Sequence, residues 1–124
     1  MVTCSIKEMV EDIVVNGELT RQDVEFMSDY IGQDTDTDTI VELLSIPQAL
    51  DWNSIDREYQ SMLARYLKIV YAPNGVITDI SAKEISNLFD PEDEMSPHER
   101  RALKQLKNLK YGKEFQAFLD DNMI

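Results

Sequence analysis

Ile55-Asp56-Arg57-Glu58-Tyr59-Gln60-Ser61-Met62-Leu63-Ala64-Arg65-Tyr66-Leu67-Lys68-Ile69-Val70-Tyr71 decides the fold, because its apolar residues return at intervals of three and four. That period puts Ile55, Tyr59, Met62, Leu63, Tyr66, Leu67 and Val70 on one face of a long helix, which starts near Asn53 or Ser54 and runs to about Tyr71. This helix is the expected centre of the core, and the segments on either side share its period. Upstream, Ile40, Val41, Leu43 and Leu44 form a short helix that Asp38 or Thr39 caps and Pro47 terminates. Trp52 is read as a core anchor just before the long helix.

Two helices precede these. Ile6, Met9, Val10, Ile13 and Val14 make the inward stripe of the first, which stops at Asn16-Gly17. Thr20 is placed to cap the second, whose inward residues are Val24, Met27, Tyr30 and Ile31 and which Gly32 ends. Downstream, Ala72-Pro73-Asn74-Gly75 breaks the long helix, Val76 and Ile77 extend, and Ser81 with Glu84 suggests a capping box for a helix through Leu88. Ser96-Pro97-His98-Glu99 is the strongest helix start in the chain: a capping serine, proline at the first helical position and glutamate at the third. His98 is read as a first-turn residue of that helix, which carries Leu103, Leu106 and Leu109 inward. A last helix around Glu114 to Leu119 offers Phe115, Phe118 and Leu119.

The expectation is therefore an all-α fold, a single domain over residues 1–124 with six or seven helices and almost no strand. The Asn-Gly turns at Asn16-Gly17-Glu18-Leu19 and Asn74-Gly75-Val76-Ile77 lie 58 residues apart, and each joins a helix to a capped helix. Two readings are open: the turns mark two helix-loop-helix units whose short extended pieces, around Leu19 and Ile77, pair side by side, or Asn-Gly is simply a common helix stop.

Composition limits the function. The 24 acids against 12 bases leave a net charge of -12, which repels a phosphate backbone and argues against direct nucleic-acid binding. No apolar run approaches a membrane span of about 20 residues, and Lys7, Glu8 and Glu11 interrupt anything like a signal peptide. A lone Cys4 makes neither an intramolecular disulfide nor a cysteine-based zinc site, which fits a reducing, cytoplasmic setting. With one histidine and no carboxylate pair fixed across a cleft, an enzyme is not expected.

The charge is local. Residues 1–56 hold 13 acids and two bases, whereas residues 57–124 hold 11 acids and 10 bases, with Arg100, Arg101, Lys104, Lys107, Lys110 and Lys113 gathered in the last long helix. The acidity peaks at Asp34-Thr35-Asp36-Thr37-Asp38-Thr39. Alternate residues of an extended loop project to one side, so Asp34, Asp36 and Asp38 can converge, with Glu42 one turn into the next helix to close the set. Converging carboxylates repel by about 4 kcal/mol at a surface-like dielectric unless an ion neutralises them. An all-oxygen donor set on an irregular loop suits Ca2+ better than zinc or magnesium. The other reading is a solvated acidic loop in which Asp38 serves only as a cap. Asp90-Pro91-Glu92-Asp93-Glu94 is a second, weaker acidic cluster.

Asp12-Ile13-Val14-Val15-Asn16-Gly17-Glu18-Leu19-Thr20-Arg21-Gln22-Asp23 resembles an EF-hand loop, with Asp12, Asn16 and Asp23 as ligands and Gly17 at the turn. Val14 removes the third-position ligand, and Asp23 stands where the bidentate glutamate belongs. The size, the acidity and the aspartate loop also resemble the small cyanobacterial calcium-binding proteins outside the EF-hand class. That resemblance implies buffering or sequestering of cytosolic calcium, and the aspartate loop itself is read as the site of a calcium buffer or sensor. The alternative from a different class is an acidic interaction module, an inhibitor or nucleic-acid mimic, whose carboxylates face a basic protein partner. Geometry separates the two, since calcium needs carboxylates converging on one point and a partner surface needs them spread.

Overall fold

Helical periodicity becomes seven α-helices in the computed structural model, which describes residues 5–33 and 35–124. They are α1 (Ile6–Asn16), α2 (Arg21–Ile31), α3 (Thr37–Ala49), α4 (Glu58–Tyr71), α5 (Asp79–Asn87), α6 (Pro97–Gln105) and α7 (Lys113–Asp121). Two 3₁₀ turns, Trp52–Ser54 and Leu106–Asn108, and two short strands, β1 (Val76–Ile77) and β2 (Lys110–Tyr111), complete the described elements. The fold is all-α. Its buried apolar residues form one connected core, in which Tyr59, Leu63, Tyr66 and Leu67 of α4 are wholly covered.

Capping residues set most boundaries. Ser5, Thr20, Asp36, Thr78 and Ser96 each accept a hydrogen bond from the backbone N–H three residues on, satisfying a donor that the first helical turn leaves unpaired. Thr20 with Asp23 and Ser96 with Glu99 make reciprocal capping boxes. The caps of α3 and α5 are thus Asp36 and Thr78, each earlier than the sequence suggests. Gly17, at φ 85°, closes α1 and takes the left-handed conformation at no steric cost.

Pro47 does not end its helix. α3 continues through it to Ala49, although proline has no N–H for the carbonyl four residues back, at Leu43. The Tyr59 hydroxyl donates to that carbonyl at 2.7 Å from within the core. A side chain 16 positions downstream replaces the missing backbone donor, so the helix survives its proline.

The two Asn-Gly turns do not pair with each other. Leu19 forms a parallel bridge with Ile55, whose neighbours close it: the Leu19 amide donates to the Ser54 carbonyl, and the Asp56 amide to the Leu19 carbonyl, both at 2.9 Å. Ile77 of β1 pairs in parallel with Tyr111 of β2. Each extended piece therefore finds a partner about 35 residues further along. This bridge also delays α4, because Ile55 is extended and the α-helix starts only at Glu58.

The result is one arrangement built twice. α1 packs on α3 and α2 on α4; α4 then packs on α6 and α5 on α7. A shift of 58 residues carries Leu19 onto Ile77, and a shift of 56 carries Ile55 onto Tyr111, so both pairings share one register. α4 closes the first unit and opens the second.

Candidate functional site

The aspartate string is largely absorbed into a helix start. Asp34 lies outside the described residues. Asp36 is the N-cap of α3: its Oδ1 accepts from the Thr39 amide at 2.9 Å and from the Thr39 hydroxyl at 3.1 Å. These bonds, the amide first, hold the Asp36 carboxyl below its ordinary range. Asp38 sits in the first turn, where the positive end of the helix dipole favours an acid, and Glu42 lies half-buried a turn later. The Thr35 hydroxyl is shielded from solvent and has no hydrogen-bond partner among the described residues. Among those residues no group of three or more His, Cys, Asp or Glu side chains is placed to hold a metal ion.

The EF-hand-like segment is mostly helix. Asp12 and Asn16 are exposed on α1, Gly17 turns the chain, and Asp23 belongs to the first turn of α2. The Asp23 carboxylate accepts from the Thr20 amide at 3.0 Å while the Thr20 hydroxyl accepts from the Asp23 amide at 3.1 Å. The three acceptors thus stand on two helices joined by a four-residue turn, not around a 12-residue loop. In the second acidic cluster, the Asp90 carboxylate accepts from the Glu92 amide at 2.9 Å, and Asp90 to Glu94 all face solvent.

The late cations do not share one helix: Arg100, Arg101 and Lys104 lie on α6, Lys107 in the following 3₁₀ turn, Lys110 in β2 and Lys113 at the start of α7. Arg100 donates to the Met95 carbonyl at 3.2 Å and to the Asn122 carbonyl at 2.5 Å, and Lys107 reaches the Ile124 carbonyl at 3.5 Å. The Asn122 and Ile124 carbonyls lie just past the C-terminal end of α7, where the helix dipole favours cations. Among the described residues the only ion pair within 4.0 Å is Arg21–Glu25, at 3.5 Å on the exposed face of α2. Apolar side chains share this acidic half: Phe26 is 63% exposed, Tyr30 46% and Trp52 57%. Tyr30 and Trp52, both expected in the core, therefore stand outside it. Phe26 and Tyr30 lie one turn apart on α2, beside Glu25 and Asp29.

His98 sits where the sequence places it. It is a first-turn residue of α6, but a buried one: its Nε2 lies 2.6 Å from the Trp52 carbonyl and its Nδ1 lies 2.8 Å from Gln60 Nε2. A carbonyl only accepts, so Nε2 carries the proton and Nδ1 accepts from the Gln60 amide. With both ring nitrogens bonded, His98 joins α6 to α4 and to the 3₁₀ turn. Beside it, burial raises the Glu99 carboxyl above its ordinary range, opposed by the Ser96 amide and hydroxyl. Burial also lifts the Tyr59 hydroxyl well above the usual phenol, with the Glu99 charge adding to the shift.

No helix among the described residues is long and apolar enough to cross a membrane. Compared with family models, with curated proteins and with solved structures, the chain matches none.

Proposed function

We propose that the chain is an acidic protein-interaction module that docks a basic protein partner. The observation that supports this reading is the surface of α1–α3, where exposed carboxylates are spread over the helices, Phe26 and Tyr30 stand exposed beside Glu25 and Asp29 on α2, and only Glu25 has a cation within 4.0 Å among the described residues. Aromatic side chains exposed within one sign of charge combine an apolar anchor with steering, the two ingredients of a docking face. Spread carboxylates suit an extended cationic surface better than a single ion, because a partner spaces its own cations to match.

The calcium reading is kept as the second. It rests on the shielded Thr35 hydroxyl beside Asp36, an oxygen without a protein donor or acceptor among the described residues. One experiment separates the two. Titration with a lysine-rich polypeptide at low and high salt should show association that weakens steeply as salt rises, while thermal melts in millimolar calcium and in chelator should coincide. A calcium-dependent stabilisation of about 2.7 kcal/mol at 100 times the dissociation constant, lost in Asp36→Ala and Asp38→Ala, would instead install the calcium reading.

A further inference from the structure

The duplicated architecture places a groove at the same point of each unit. The first lies between α2 and α4, with a volume of about 380 Å³, and the second between α5 and α7, about 950 Å³. Shifting the α2 side by 58 residues and the α4 side by 56, as the paired strands require, carries every lining position of the first groove onto a lining position of the second. Ser28 falls on Ser86 and Glu58 on Glu114 with no change of residue, and the floor residues Val24 and Met62 fall on Ala82 and Phe118. The register was set by backbone pairing alone, so the coincidence of the grooves is independent of it.

Their chemistry is related as well. Both have an apolar floor beneath a rim in which acids outnumber bases, with Glu25, Asp29 and Glu58 against Arg65 in the first. In the second, Asp90, Asp93, Glu114 and Asp121 stand against Lys83. The single cation changes wall: Arg65 is on α4, but its counterpart is Asp121, while Glu25 on α2 becomes Lys83 on α5. An apolar floor under a net-negative rim is complementary to a segment whose apolar residues alternate with lysine or arginine at helical spacing.

We propose that these two grooves are quasi-equivalent docking sites for cationic amphipathic segments of a protein partner, so that one chain engages two such segments. The proposal rests on the interaction-module reading, extends its surface from the exposed face of α2 to two grooves, and adds the number of sites. Two linked sites raise the apparent affinity for a partner carrying two basic segments without any new contact. The exchanged cation sets the segment's polarity separately in each groove, and the wider second groove, floored by Phe118 with Phe89 at 5.9 Å, admits the bulkier apolar side chain.

The test is calorimetric titration of the full chain with a helical peptide of leucine and lysine only, about four turns long. Ser61 and Ala117 are exposed and line equivalent walls, so Ser61→Arg and Ala117→Arg each obstruct one groove and weaken its negative charge without touching the core. Circular dichroism melts establish that each variant is folded. The expected result is two peptides per wild-type chain, one for each single variant, and at least a tenfold loss of affinity for the double variant. Wild-type stoichiometry that survives both substitutions overturns the groove assignment while leaving a basic-partner module standing. Loss of both sites in one single variant overturns their independence. Failure of the wild-type chain to bind the peptide at all overturns the interaction-module reading itself.

Discussion

Tyr59 and Phe115 occupy the same place in the two units, 56 residues apart and both fully buried, yet only one carries a hydroxyl. The difference follows from their neighbours. α3, which α4 covers, contains Pro47 and leaves the Leu43 carbonyl without a backbone donor, and Tyr59 supplies it. α6, the counterpart of α3, has proline only at its first position, where no donor is missed, and Phe115 needs no hydroxyl. The positions that build the skeleton keep their character, as Leu19 and Ile77, Thr20 and Thr78, or Leu63 and Leu119 do. What diverges is polar chemistry with a local cause, together with surface charge, which is -11 over residues 1–56 and -1 over the rest.

The comparison breaks most directly at that hydroxyl. Tyr59→Phe leaves a buried carbonyl unpaired and is expected to cost about 1–3 kcal/mol, read as a lowered midpoint in urea unfolding. Restoring a backbone donor with Pro47→Ala should remove most of that cost, so the double variant is more stable than the sum of the two single changes implies. A Tyr59→Phe cost that is the same with and without Pro47 would show that the hydroxyl serves something other than the proline.

A smaller contrast lies at the helix starts after the Asn-Gly turns. Thr20 shares a capping box with Asp23, whereas Thr78 caps α5 alone, with Ser81 at the third position in place of an acid. Thr20→Ala and Thr78→Ala should each cost about 1 kcal/mol, since each removes a hydroxyl cap and keeps the backbone N–H, whereas Asp23→Ala, which removes the acceptor of the Thr20 amide, should cost more than Ser81→Ala. Equal losses for Asp23→Ala and Ser81→Ala in paired thermal melts would mean that the reciprocal bond adds no stability.

Much of this was legible in the residues. Ser96-Pro97-His98-Glu99 announced α6 and its capping box, because every signal involved lies within four positions. The apolar stripe of α4 announced the core for the same local reason. Pro47 and Ile55 misled because what decides them is distant: a hydroxyl at 59 rescues one, and a bridge to Leu19 extends the other. Nor does anything near His98 reveal that Gln60 and the Trp52 carbonyl bury it. The duplication had a second visible signature that the turns alone did not use. Glu58-Tyr59-Gln60-Ser61-Met62-Leu63 and Glu114-Phe115-Gln116-Ala117-Phe118-Leu119 run in parallel, and they carry one wall of each groove. Of the aspartate loop, the sequence showed its charge but not its use, since a cap and a cation ligand are the same side chain until the backbone donors are placed.

The smallest expected effect distinguishes the starts of α3 and α6 by pH. Asp36 is exposed and its carboxyl is held low by the Thr39 amide and hydroxyl, whereas Glu99 is buried and its carboxyl is raised by desolvation. The signs are opposite. A lowered carboxyl stabilises above its unfolded-state pKa, and that stability is lost as pH falls through the lowered value. A raised carboxyl favours the fold fully below its unfolded-state pKa, and that contribution is lost as pH rises through the raised value. Acidification therefore loosens the start of α3 while relieving the start of α6. Glu99→Gln keeps an acceptor for the Ser96 amide and removes the charge, so it should increase stability near neutral pH and flatten the decline above the ordinary carboxylate range. Asp36→Asn should flatten only the loss on the acid side. Urea unfolding across a pH series reads both changes. If Glu99→Gln leaves the profile unaltered, burial does not set the proton affinity of that carboxyl, and the two helix starts differ in exposure but not in electrostatics.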